Sequence, residues 1–286
     1  MTSTHRPLVT YSRLLGALLA ATLGFVPNVG AQSTPYGYHW TPSDTLRYSE
    51  LTHSRVEMQM PGGTVLVRSE HDARIAVTAL GRDTLAAWYE GLRLVQEGPG
   101  TETQSPSTAQ LIGAPFMLTF DSHSPLRTST TPAIPVDIAA LTDLSRQFDD
   151  FFITLPRTKL AIGTRWADTV QTDRPARPTD TFSGRSVRDY QVVRDTTADG
   201  APAFIVAVTQ SVTLDASSRI EEQQMTVTTQ FAGEDTGEVI FVPSQGRLHA
   251  RTRAGKLAGS LTLTGPSGEM SVPQSYDYTS SIAFLP

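Results

Sequence analysis

Apolar and polar residues alternate through most of this chain, and turn-forming residues interrupt them at spacings of about 8 to 15 residues. A period of two places every second side chain on one face of a strand, so a run of this kind reads as a half-buried strand. Val56, Met58 and Met60 alternate with Arg55, Glu57 and Gln59 ahead of the turn Pro61-Gly62-Gly63. Phe116, Leu118 and Phe120 repeat the pattern, and Tyr276, Tyr278, Ile282 and Phe284 close the chain on a common even face. Gly91 interrupts Leu85–Gln96 and signals a bulge, while Asp199-Gly200 marks a turn before the strongly apolar run 203–208. The expected fold class is mainly β: about ten or more short antiparallel strands in strongly curved sheets or half-barrels, with one central amphipathic helix.

That helix is expected over 136–156, where Ile138, Leu141, Leu144, Phe148 and Phe151 recur at steps of three and four until Pro156. It divides an N-terminal β half, 32–135, from a C-terminal β half, 157–286. Asp149 and Asp150 are placed on its solvated face, with Asp143 and Arg146. Tyr36, Tyr38 and Trp40, at alternate positions of the lead-in, are expected to pin that segment to the sheet.

Residues 1–31 read as a secretory signal peptide. Arg6 and Arg13 precede an apolar run from Leu14 to Phe25, and Val29-Gly30-Ala31 supplies the small residues of a cleavage site. The mature product is therefore expected to be exported, periplasmic or extracellular. No second apolar run approaches the roughly 20 residues of a membrane-spanning helix. The chain has no cysteine, so stability in an exported protein must come from packing and sheet pairing. Removing residues 1–31 takes away two arginines and leaves 21 basic against 28 acidic side chains, a net charge of −7, which argues against nucleic acid as a partner.

No residue pattern specifies a catalytic activity, and none implies a cofactor. His39, His53, His71, His123 and His249 are not spaced as ready-made metal pairs. Asp121-Ser122-His123 brings acid, nucleophile and base types together, but members of a relay come from separated segments, so the stretch reads as a polar turn. Arg247, His249, Arg251 and Arg253 alternate with Leu248, Ala250 and Thr252. On one strand they would form a basic surface ladder, either a contact for anionic headgroups or an acidic partner, or an ordinary solvent face opposite acidic neighbours.

Phe151-Phe152-Ile153-Thr154-Leu155-Pro156 followed by Gly163-Thr164-Arg165-Trp166 resembles an uncharacterised family of exported bacterial envelope proteins. In these a Phe-rich helix end runs into Leu-Pro and then a Gly-x-x-Trp strand start. The alternating layout is also similar in architecture to the half-barrel lipoprotein carriers of the LolA and LppX kind, which hold acyl chains between a curved sheet and short helices. The resemblance implies an apolar ligand such as a lipid acyl chain on a concave surface, lined by Trp88, Phe116, Phe120, Phe148, Phe151, Trp166 and Phe204. The other reading of the same residues is a dry core in a structural or partner-binding envelope component.

Overall fold

Strand-forming alternation and hairpin turns produce a single antiparallel sheet of eleven strands in the computed structural model. It describes residues 36–41, 44–81, 83–99, 103–123, 126–139, 141–172, 181–221, 224–266 and 268–286. The expected signal peptide, 1–31, and the Pro-containing stretch 173–180 lie outside the described residues. The strands are β1 (Thr45–Met60), β2 (Gly63–Ala79), β3 (Thr84–Glu97), β4 (Phe116–Thr119), β5 (Arg127–Thr130), β6 (Arg165–Thr172), β7 (Thr181–Ala198), β8 (Ala201–Ile220), β9 (Met225–Val242), β10 (Arg247–Gly265) and β11 (Gly268–Leu285).

The strand order is β5-β4-β3-β2-β1-β11-β10-β9-β8-β7-β6. The chain starts in the middle, steps outward by hairpins to β5, and crosses to the opposite edge at β6. It then steps back until β11 lies beside β1, with Arg47 opposite Leu285 and Met58 opposite Gln274. The two β-rich stretches thus share one sheet, which is not closed into a barrel. Its strands are longer than the alternation alone suggested. The separate apolar alternations Val65–Val67 and Ile75–Ala79 belong to one strand of 17 residues, because polar Arg68 to Asp72 continues the pairing with β1.

Four bulges shift the register of the sheet, and a bulge switches which parity faces inward. The one expected at Gly91 is present: Arg74 pairs with Gly91 and Ile75 with Tyr89, leaving Glu90 as the extra residue. Three more lie at Ser129, Val193 and His249.

The helix is much shorter than 136–156. Among the described residues of that stretch only α1 (Val136–Ala139) is α-helical, and Leu144–Arg146 adds a 3₁₀ turn. Thr142, Asp143 and Ser145 favour local hydrogen bonding over helix continuation; the Asp143 carboxylate accepts from the Ser145 N–H and starts the new turn. The other described residues of 131–164 form an irregular strap leading from β5 at one edge of the sheet to β6 at the other. Its periodic apolar residues still share one environment: Ile138, Leu141, Leu144, Phe148 and Phe151 are all buried.

Two large apolar clusters cover the inner face. The upper one joins the strap to Tyr48, Tyr89, Phe116, Val206 and Phe241 on the strands. The lower one, which includes Val56, Val170, Leu214, Phe231, Leu257 and Val272, draws every member from a strand. Close packing of strands there depends on glycine. A Cβ at Gly233 would sit 2.2 Å from the Lys256 carbonyl oxygen, and one at Gly259 1.8 Å from that of Gln230, so neighbouring strands approach closely only because these side chains are absent.

Candidate functional site

Between the two clusters a belt of polar residues crosses the inner face. Cross-strand register fixes it: Asp168 on β6 pairs with Arg188 on β7, Arg188 with Gln210 on β8, Gln210 with Asp235 on β9, and Asp235 with Gly255 on β10. Gly255 lies opposite Tyr278 on β11, and Tyr278 opposite Ser54 on β1. Arg253 and Arg251 occupy the next inward positions on β10. All of these charged residues are buried, Arg188 and Asp235 each to 2% exposure.

The strap places Asp150 in the centre of this belt. Its carboxylate accepts Arg188 Nη2 at 2.8 Å through Oδ1 and Arg253 Nη1 through Oδ2. Arg253 Nη2 also reaches Asp235 Oδ2 at 2.7 Å and Gln210 Oε1 at 3.0 Å, and the Tyr278 hydroxyl donates to the same Asp235 oxygen at 2.6 Å. Arg251 donates to the backbone carbonyls of Asp150 and Phe151. Further tethers run from the Gln147 amide to Glu50 and from the Tyr38 hydroxyl to the Ile153 carbonyl.

Burial opposes the charge on Arg253, but Tyr278, Asp150 and Asp235 more than offset it and raise its pKa. At Arg251 burial prevails and the pKa falls. Burial likewise pushes the Asp168 carboxyl upward, against the pull of Arg188 and of hydrogen bonds from Thr154 and Tyr190.

These findings correct two expectations. The basic ladder is not one surface feature: the bulge at His249 leaves Leu248 facing in, and from Arg251 onward the arginines face in while Ala250 and Thr252 face out. Arg247 and His249 remain partly exposed, near Asp199 at 2.7 and 3.4 Å, with Arg247 over the Phe284 ring at 3.7 Å. Asp150 is buried rather than solvated, whereas neighbouring Asp149 binds the Thr128 N–H at the β5 edge.

The expected lining residues separate as well. Phe116, Phe148 and Phe151 are at most 1% exposed and pack edge-on or tilted against one another and against Tyr48 and Tyr89. Phe120, Trp166 and Phe204 are partly buried at the margin of the same cluster. Trp88 does not belong with them. It pairs with Ala76 on the outer face, since the inward parity of β3 before its bulge is that of Leu85, Ala87 and Tyr89.

The lead-in is pinned as expected, with Tyr38 edge-on to Phe152 and Phe241, and Trp40 to Phe120 and Phe152. At the Gly-x-x-Trp strand start, Gly163 adopts φ +87°, and Trp166 stacks on Tyr190 while donating to the Thr154 carbonyl at 2.9 Å.

Ser122 Oγ lies 2.9 Å from His123 Nδ1, and the Asp121 carboxylate approaches the same nitrogen at 3.8 Å. A relay needs its acid and its nucleophile on opposite ring nitrogens. The turn instead accepts the Tyr38 and Leu155 N–H groups through the Ser122 and His123 carbonyls. Among the described residues no cluster of three or more His, Asp or Glu is placed to hold a metal ion, and no helix is long and apolar enough to cross a membrane.

A small cavity of about 50 Å³ lies where the belt meets β2 and β3, lined by Thr52, Ser54, Ser69, His71, Gln96 and Leu141 among others. That volume suits a few water molecules rather than an acyl chain.

No known protein family profile matches this chain, and no curated protein does. Among solved structures it is similar to lipovitellin, from a study of lipid–protein interactions, at 10% identity and a TM-score of 0.47, over 87% of this chain and 26% of that one. The chain thus spans about a quarter of lipovitellin's length. It is also similar to the translocator domain of the autotransporter NalP from Neisseria meningitidis, at 8% identity and a TM-score of 0.19 over 85% of this chain and 89% of that one. A porin of Rh. blastica aligns at 7% identity and a TM-score of 0.19, over 85% of this chain and all of that one.

Proposed function

We propose that this chain is an exported, non-catalytic protein of the cell envelope whose curled sheet binds an apolar ligand of the acyl-chain type on its inner face, with the strap occupying that face in the unliganded state. The observation carrying this reading is what fills the sheet. The inner face carries a large apolar cluster on each side of the belt, and its upper half is covered by a strap with one α-helical and one 3₁₀ turn rather than by another sheet layer. A chain-shaped, largely irregular filler is a segment that an extended apolar ligand can replace. The cavity at the belt is far smaller than an acyl chain, so binding at that point requires the strap to move.

A second reading has its own support. Phe148 and Phe151 are fully enclosed, as in a protein whose core is dry and whose work is done at its surface, as a structural or partner-binding component. Native mass spectrometry of the mature chain, purified without detergent, separates the two. Lipid adducts and a thermal shift with fatty acids or phospholipids are expected from the first reading. Bare protein together with an unchanged melting temperature would leave only the second.

A further inference from the structure

The belt is costly for a protein that needs only a stable core. Desolvating opposed charges seldom gains more than hydrophobic residues of similar size would provide, so buried ion pairs call for another explanation. Here they also divide one apolar surface into two clusters. Several of their polar atoms lack hydrogen bonds from the described residues, including Arg253 Nε, Gln210 Nε2 and Asp235 Oδ1.

What the belt does hold is a carboxylate. Arg188 and Arg253 come from strands separated by two others and converge on different oxygens of Asp150. Two guanidinium groups, one on each oxygen of a carboxylate, form a strong charge-assisted arrangement. Apolar surface continues on both sides of it, with Val208, Val239 and Phe241 above and Val212, Leu257 and Tyr276 below. An acidic head gripped by arginines, with apolar surface running away from it, is the complement of a long-chain carboxylate.

We infer that Arg188 and Arg253 form a headgroup clamp for a long-chain carboxylic acid, and that Asp150 and the apolar side chains of the strap occupy this site as a built-in competitor. This rests on the apolar-ligand reading above and adds the headgroup, its two arginines and the competing segment. The acid's carboxylate takes the place of the Asp150 carboxylate, and its chain takes the place of strap residues such as Phe148 and Phe151. No bond is made or broken.

The test uses the full mature chain with oleate and, as the neutral comparison, oleyl alcohol, each delivered from cyclodextrin. Affinity is measured by native mass spectrometry titration, and amide hydrogen exchange is followed over 141–160. Oleate is expected to bind at least about tenfold more tightly than the alcohol and to accelerate strap exchange. Arg253→Gln should remove that preference, whereas Asp150→Asn, which weakens the competitor, should strengthen oleate binding. Equal affinity of the wild-type chain for acid and alcohol would overturn the clamp and leave the apolar-ligand reading standing. Tighter oleate binding without faster strap exchange would overturn the competition. Binding of neither probe would remove both the clamp and the reading beneath it. The comparison of acid with alcohol uses wild-type protein, so it holds even if a belt variant does not fold.

Discussion

The two halves of the inner face bury apolar surface by different means. In the lower half the strands suffice: valines, leucines and Phe231 enclose one another where glycine lets β9 and β10 approach closely. In the upper half the strands present large rings, Tyr48, Tyr89, Phe116 and Phe241, and a separate segment supplies Phe148, Phe151 and Phe152 to complete the packing. One sheet therefore contains a region that folds onto itself and a region that needs a filler. The lesson is that close strand approach, allowed by a few glycines, goes with the half that needs no filler, and its absence with the half that has one.

The largest expected effect breaks the self-covering half. Gly259→Val drives a side chain into the backbone of β9, and soluble, cooperatively folding protein should be lost or its stability reduced by more than about 4 kcal/mol in urea denaturation. Gly62→Ala, at a turn with nothing within 4 Å, serves as the neutral control. Next comes the filler: Phe151→Ala should cost about 3–5 kcal/mol by the same measurement if the upper half is as tightly packed as its burial indicates. A loss under about 1 kcal/mol would mean that the strap is loosely seated, bringing the two halves closer in kind.

The smallest effect is on pH dependence where the belt meets β2. Burial pushes the His71 imidazole below its ordinary value, while Glu50 and Asp72 pull it upward more weakly. The folded chain thus keeps His71 neutral, whereas the unfolded chain protonates it as pH falls through about 6.5. Its contribution to stability is present above that pH and is lost progressively below it. Denaturation midpoints at pH 8 and pH 5.5 should fall on acidification, and by less in His71→Gln. Equal falls in both proteins would place the acid sensitivity elsewhere.

Much of the sheet was legible because alternation reports directly on strand faces. The bulge at Gly91, the turn at Asp199-Gly200 and the even face of β11 all follow from local chemistry. Strand length was harder to read, since Arg68 to Asp72 carries no alternating apolar signal and is held by pairing with neighbours distant in sequence. The strap kept its apolar period but lost its helix to Asp143, Ser145 and the pull of the belt on Asp150. Arginine and aspartate letters look the same whether they meet water or each other, so the belt was invisible while one frame was carried along β10. A usable signal existed: Arg251 and Arg253 share the parity of Leu257, Leu261 and Leu263, and Leu248 does not.

The pairing of β1 with β11 also governs how the molecule is assembled. Every other neighbouring pair of strands joins segments consecutive in the chain and can zip locally. This one must bring together segments from the two extremes of the sheet's connectivity, with the slow kinetics that distant contacts impose. Until it forms, two multi-stranded arms each expose an unpaired edge at what will become the middle of the sheet. During maturation, aggregation should therefore begin at that seam, and a chaperone would find its most exposed target there.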